Sequence, residues 1–394
     1  MRRSWLPGGG ANLFQEIKQQ TAVAEQKGIK ILKLSIGQPQ GPAFLSARGV
    51  AAQAVMSDAE SMHEYQDNGS PGVPDFAERF VQAHLRGGPL DKKRVDFLPI
   101  PGIKPMLGLI PLACNCTGDR IKVATTTKPG YPTPRVWCGY LGLTVDELCL
   151  CPENEFLFTM GDLALGKVNL VMMNYPHNPT GQIATRDWLE ALCAYCSSHG
   201  IRLFNDAAYF ALSYGPESFC LTEVAVKFPD LSWAEAFSAS KVIGNGTGWR
   251  IGAIVGSSDF VTDIKTIKGN TDSGFVAPMA AGVLYAVEND SASIKKVAET
   301  YRRRSQSLVS LLRQRGMQLA VEPRAGFFTL WKVPKKAFGE EVRDAKHFNF
   351  MMIEKTGVVG VHFHPYIRYA VCSDVEAMAG EIDEAFKKAD VSYN

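Results

Sequence analysis

Between residues 46 and 285, short apolar runs alternate with longer stretches in which apolar positions recur at helical spacing. The runs at 95–99, 121–125, 145–150, 168–174, 201–205, 233–238 and 253–256 are too short for buried helices and read as strands. Helical spacing marks 73–85, after the turn Gly69-Ser70-Pro71-Gly72, and 104–113. This alternation predicts an α/β fold: a large domain whose mostly parallel sheet is flanked by helices on both faces. After residue 286 the pattern changes. A long charged helix is expected at 293–315, strands at 319–322 and 327–331, and shorter pieces beyond. At the other end, a helix at 13–27 and a strand at 31–36 precede the alternating region. The two ends, 1–45 with 286–394, are expected to build a smaller α+β domain beside the large one at 46–285. No internal repeat or low-complexity segment is apparent.

At 394 residues the chain is long enough for two domains. Its 46% apolar share is that of an ordinary globular protein. A net charge of +2 speaks against a nucleic-acid partner. No apolar stretch approaches the roughly eighteen residues of a membrane span. The start, Met1-Arg2-Arg3-Ser4-Trp5-Leu6, is basic, but Pro7-Gly8-Gly9-Gly10 stands where a signal peptide needs its apolar core, so none is expected. Nine cysteines are an odd count. Cys114 and Cys116, like Cys149 and Cys151, sit too close for ordinary bridges in regular structure. Cys193 and Cys196 have redox or metal spacing. No second Cys/His pair stands at zinc spacing, and both fall on an expected helix at 188–198, so they read as packing residues. Reduced thiols point to the cytoplasm.

Polar residues cluster where three expected strands end. Asn174-Tyr175-Pro176-His177-Asn178-Pro179-Thr180-Gly181 follows the first, Asn205-Asp206-Ala207-Ala208-Tyr209 the second, and Ser238-Ala239-Ser240-Lys241 the third. Open α/β sheets bind ligands outside the carboxyl ends of their strands, so three such ends predict one converging site. Soon after comes Thr247-Gly248-Trp249-Arg250. A lone lysine after serine is usually a solvated surface residue. Here a lysine amine, which condenses with aldehydes, stands beside small hydroxyls and an arginine, which hold phosphates. Pyridoxal phosphate is a cofactor that carries both groups.

Asn174 to Gly181, Asp206 to Tyr209, Ser238 to Lys241 and Gly248 to Gly252 together resemble, in order, the motifs of the class I/II aminotransferases among the fold-type I pyridoxal phosphate enzymes. The resemblance runs from Leu34-Ser35-Ile36-Gly37 to Ile367-Arg368-Tyr369. It implies an enzyme that moves an amino group from an amino acid to a 2-oxo acid through a Schiff base on Lys241. It further implies that Lys241 carries the proton between the substrate and the cofactor, which requires a lowered pKa. By the same resemblance Asp206 pairs with the pyridine nitrogen, Asn178 and Tyr209 hydrogen-bond the ring's phenolic oxygen, and Tyr131 stacks on the ring. The phosphate would be held by the helix start Gly102-Ile103-Lys104, by Ser238 and Arg250, and by Tyr65 of a second subunit, making the protein a homodimer with shared sites. Arg368, Gly37 and Asn178 would hold the substrate α-carboxylate.

Plainer readings compete: a helix cap for Asp206, core packing for Tyr131, a surface aromatic for Tyr65 and a strand-edge charge for Arg368. Asp206 to Tyr209 and Lys268 to Gly274 look like the subgroup that includes aspartate and diaminopimelate aminotransferases. Arg135 is placed either to meet a side-chain carboxylate or on the surface. A C–S β-lyase or decarboxylase would use the same lysine and ring contacts. A non-catalytic regulator is disfavoured, because its N-terminal DNA-binding domain would have no room. Two departures stand out. The family spacing from lysine to phosphate arginine is one residue shorter, and Gly244-Asn245-Gly246 occupies the longer turn here. The segment at 358–365 replaces a longer loop that often covers the active site, which implies a smaller lid and a more open pocket. His362 and His364 in it read as rim or packing residues.

Overall fold

The computed structural model describes residues 13–115, 122–166 and 168–394. The expectations for the basic start, for Cys116 and for Ile121 lie outside the described residues. The strands are β1 (Leu32–Lys33), β2 (Val95–Ile100), β3 (Lys122–Lys128), β4 (Thr144–Cys149), β5 (Leu170–Met173), β6 (Arg202–Asp206), β7 (Trp233–Ser238) and β8 (Gly252–Ser257), then β9 (Phe328–Lys332), β10 (Lys336–Ala337), β11 (Glu340–Glu341), β12 (Val358–Val359), β13 (Val361–Phe363) and β14 (Tyr366–Ala370). Seven of them form one sheet in the order β2-β8-β7-β6-β5-β3-β4. The pairs from β7 to β4 are parallel. β8 runs against both of its neighbours. This is the mostly parallel sheet expected.

Burial explains why these strands read as unbroken apolar runs. Every residue of β5 and of β7 is buried, as happens when helices cover both faces of a parallel sheet. On one face Phe76, Phe80, Leu189, Leu192, Leu221 and Val283 pack from four helices. On the other, Met106, Leu107 and Ile110 of the helix Ile103–Ala113 and Phe260 and Ile264 of the helix Ser258–Lys268 close the layer. A second, antiparallel sheet, β13-β14-β9, packs with the long helix Ser291–Gln314 around Trp331, Phe348, Tyr369 and Phe386. β1 pairs in parallel with β12, which ties the N-terminal stretch to the C-terminal one. Among the described residues no helix is long and apolar enough to cross a membrane.

Three expected elements lose the most length. The helix expected at 73–85 spans only Phe76–Gln82, because Asp75 takes a left-handed backbone, φ 56°, that no helix continues through. The strand at 31–36 shrinks to two residues. Beyond it the chain's carbonyls serve the second sheet and Arg368: Leu34 accepts from the Ala370 N–H, and Ser35 from the Arg368 guanidinium. The strand at 319–322 is an isolated bridge, Leu319 to Trp331; Pro323, with no N–H to give, follows it.

Candidate active site

β5, β6 and β7 are parallel, so their last residues share one edge of the sheet. Asn174, Asp206 and Ser238 stand at that edge. β8 is antiparallel, so Arg250, two residues before its start, stands there as well. These residues line a cavity of about 860 Å³. The same cavity is lined by Ile103, Lys104, Tyr131, Asn178, Tyr209, Lys241, Gly37 and Arg368. Gly102 borders it through Arg250. Tyr65, expected at the phosphate, stands apart: within one chain it is 78% exposed and does not line the cavity.

Lys241 follows β7 on a single helical turn, Ala239–Val242, capped by the Ser238 hydroxyl, which accepts from the Ser240 N–H at 3.1 Å. Its ammonium lies 5.5 Å from the centre of the Tyr209 ring. Burial lowers the amine's pKa, and the carboxylate of Asp206 opposes that shift. Asp206 is itself buried, and burial pushes its carboxyl up to about 6. It accepts from the Ala208 N–H at 3.1 Å, so it does cap the turn that follows it; Lys241 acts on it only through space. Tyr209 is also buried, with its phenol pKa raised. Its ring packs edge-on against Phe327 and Phe328.

The start of the helix Ile103–Ala113 faces Arg250. Gly102 has φ 80°, and no side chain caps its helix, so the first N–H groups are unclaimed by a cap. A Cβ at Gly102 would fall 2.5 Å from the Arg250 guanidinium. Arg250 takes a left-handed backbone, φ 57°, rare for a non-glycine residue. It donates to the Thr247 and Pro101 carbonyls at 3.1 and 3.2 Å. Ser240 and Thr247 line the cavity close by. The result is a cluster of hydrogen-bond donors at one end of the cavity.

At the other end of the cavity Arg368, on β14, is fully buried. It donates to Asn178 Oδ1 at 2.8 Å and to the Ser35 carbonyl at 2.9 Å. Its guanidinium lies 4.1 Å from the centre of the Phe328 ring. Its Nε has no partner. Burial lowers its pKa to about 10, which leaves it cationic at neutral pH. Gly37 sits against the same group: a Cβ there would meet Phe328 at 3.2 Å.

Several residues here were not singled out by the sequence reading. Asn174 donates to the Asp206 carbonyl at 2.7 Å and accepts from the Asn178 N–H at 3.0 Å, fastening two strand ends together. Its position at a strand end was the available signal. Phe328 and Ser35 carried no signal, since their role depends on chain crossings. Arg135 pairs with Glu147 at 3.2 Å and does not line the cavity, which favours the surface reading. Cys193 and Cys196 are buried on the helix Arg186–His199, and burial raises both thiols, Cys196 to about 12. His362 packs on Phe350 and Asn349.

The family model "Aminotransferase class I and II" matches residues 29–376. An LL-diaminopimelate aminotransferase of Syntrophobacter fumaroxidans is 29% identical over 395 residues, 95% of each chain. One of Halothermothrix orenii is 29% identical over 402 residues, 97% of this chain and 96% of its own. Among solved structures, apo BacF of Bacillus subtilis superimposes with a TM-score of 0.85 at 20% identity over the whole of both chains. A mutant aspartate aminotransferase of Thermus thermophilus does so at 0.84 and 19%, covering 98% of this chain and 100% of its own. The chain therefore belongs to the class I and II aminotransferases and is a pyridoxal phosphate-dependent enzyme.

Proposed function

We propose that this aminotransferase works on amino donors of the aspartate or diaminopimelate type, with 2-oxo acids as acceptors, in the cavity around Lys241. One observation carries the reading: a half-buried lysine, a buried carboxylate and a buried arginine line a single cavity. The names of the relatives supply the donor class.

The residues present fit the cofactor. Asp206 is a buried carboxylate without a hydrogen-bonded cation, and a pyridinium nitrogen would complete it. The unclaimed N–H groups at Gly102-Ile103-Lys104, with Arg250, Ser238 and Ser240, suit a phosphate. When bound, pyridoxal phosphate supplies an aldehyde that amines condense with and a cationic ring that draws electrons from the donor's Cα.

Lys241 Nζ would hold the cofactor's aldehyde and would move the proton at the donor's Cα; burial favours the neutral amine this needs. Asp206 keeps the ring nitrogen protonated. Asn178 and Tyr209 would hold the ring oxygen and Tyr131 the ring face, all three lining the same cavity. Arg368 takes the α-carboxylate with its unpartnered Nε and the remaining guanidinium hydrogens, with Asn178 and Gly37 against it. Tyr65 reaches the phosphate of a second subunit, which makes the working unit a homodimer. Its exposure in one chain supports that. We also propose a cytoplasmic location, supported by the buried thiols of Cys138, Cys193, Cys196, Cys220 and Cys372. The large sheet falls within 46–285 and the second sheet within 286–394, which supports that division into domains.

The test is an amino-donor screen with cofactor-loaded protein against 2-oxoglutarate and pyruvate. Turnover of diaminopimelate or aspartate is the expected result. Turnover confined to monocarboxylic donors would overturn the donor class.

A further inference from the structure

Asn178, which contacts Arg368, sits on a loop. What fixes that loop lies beneath it, in a buried polar chain outside the cavity. Glu235 on β7 stands directly opposite Asn205 on β6 in the sheet register. Glu235 is wholly buried, and its two oxygens collect four donors: the Leu221 N–H at 2.9 Å, the Thr222 N–H at 2.7 Å, the Thr222 hydroxyl at 2.7 Å and the Asn205 amide at 2.7 Å. The last bond settles how Asn205 is turned. With its NH₂ toward Glu235, its oxygen faces Tyr175 and accepts the Tyr175 N–H at 2.9 Å, while the same NH₂ donates to the Tyr175 carbonyl at 3.0 Å. Both backbone groups of Tyr175 are thus held by one side chain. Tyr175 is in turn anchored by its hydroxyl to the Phe156 carbonyl at 2.6 Å. From there the loop runs to Asn178, whose N–H is held by Asn174 and whose side chain meets Arg368.

We propose that Glu235 and Asn205 are positioning residues for the substrate carboxylate: a buried strut that sets the height of the Tyr175–Asn178 segment and so the orientation of Arg368. This rests on the reading of Arg368 and Asn178 as the carboxylate clamp. An ionised carboxylate suits the task because it only accepts, and every group that points at Glu235 donates. An amide in its place would turn an N–H toward one of these donors and free Asn205 to rotate. Tyr175 would then lose both partners, and a small shift of the loop is felt where two groups must align.

The test compares two cofactor half-reactions in the holoenzyme, one with an amino-acid donor and one with the matching amine that lacks the α-carboxylate. The preference for the amino acid over the amine isolates the clamp, since damage at Lys241 or at the cofactor would slow both donors alike. In Glu235→Gln this preference is expected to fall about tenfold, a change larger than any in cofactor affinity. Thr222→Val removes one hydroxyl donor at nearly constant volume and is expected to shift the preference the same way by a smaller factor. It keeps the test decisive if the first variant does not fold. A preference that stays at the wild-type value in the folded variants, even with a lower melting temperature, overturns the strut and leaves the clamp standing. A wild-type enzyme with no preference overturns the clamp, and the strut with it.

Discussion

Arg368 donates to Asn178 Oδ1 at 2.8 Å, and 190 residues of sequence separate the two. The bond joins β14 of the second sheet to the loop after β5 of the first. A lysine has no planar fork with which to make it and also grip a carboxylate through two parallel bonds. Arg368→Lys is therefore expected to lower kcat/KM for every amino-acid donor by about a hundredfold, from a lost charge-assisted bond of about 1.5–3 kcal/mol and poorer alignment. Steady-state kinetics checks this. Intact turnover in the variant would put the clamp elsewhere.

Lys241 is expected to be the residue that carries the cofactor. Borohydride treatment of the loaded protein followed by peptide mapping should leave the label on Lys241, and Lys241→Ala should abolish turnover. A label on another lysine refutes the assignment.

Asp206 gives a prediction in two states. In the loaded enzyme, Asp206→Asn should retain most cofactor binding and lose most of kcat, since the ring nitrogen is no longer held protonated. In the cofactor-free protein the sign reverses. Burial raises the carboxyl to about 6, so the folded state binds its proton more tightly than the unfolded chain does. The destabilisation is absent below about pH 4, grows between about pH 4 and pH 6, and is complete above that, at about 3 kcal/mol. Denaturant titrations of cofactor-free protein should find Asp206→Asn more stable than wild type at pH 7 and level with it near pH 4. Equal stability of the two at both pH values would contradict the raised carboxyl.

Gly102→Ala should weaken cofactor binding by about tenfold or more. The residue's φ of 80° is costly for alanine, on the order of 1–3 kcal/mol, and the new methyl would displace the Arg250 guanidinium. Cofactor titration by absorbance reads the effect. Unchanged affinity would mean that this helix start and Arg250 do not hold the phosphate.

Tyr65→Phe protein mixed with Lys241→Ala protein tests the shared site. If Tyr65 crosses between subunits, the Tyr65→Phe chain in a hybrid dimer takes an intact tyrosine from its partner, and that site is wild type. Its cofactor affinity should return to the wild-type value on subunit exchange. An affinity that stays at the Tyr65→Phe value places the tyrosine in its own chain or outside the site.

The inner strands of the large sheet were legible because they are buried on both faces and therefore read as apolar runs, β5 and β7 most plainly. The cavity residues at strand ends were legible for the same reason: a polar cluster after such a run has one place to go. Other features were not. Ser35 and Phe328 act on Arg368 through chain crossings that no local pattern encodes. Glu235 interrupts an apolar strand, but nothing in the sequence says that Thr222 and Asn205 will meet it. Asp75 shortened a helix through a backbone angle that its neighbours did not announce.

The reversed direction of β8 bears on the extra residue between Lys241 and Arg250. Had β8 run with β7, the chain would have had to recross the sheet, and the connection's length would be tied to a helix of fixed span. Instead Ser238 and Gly252 are paired across an antiparallel ladder, and both ends of the loop between them are fixed before the loop begins. Gly244 within that loop is held as well, by a bridge to Ala43. The distance between the amine and the guanidinium is thus set by the ladder and the loop's anchors, and not by the number of residues that join them.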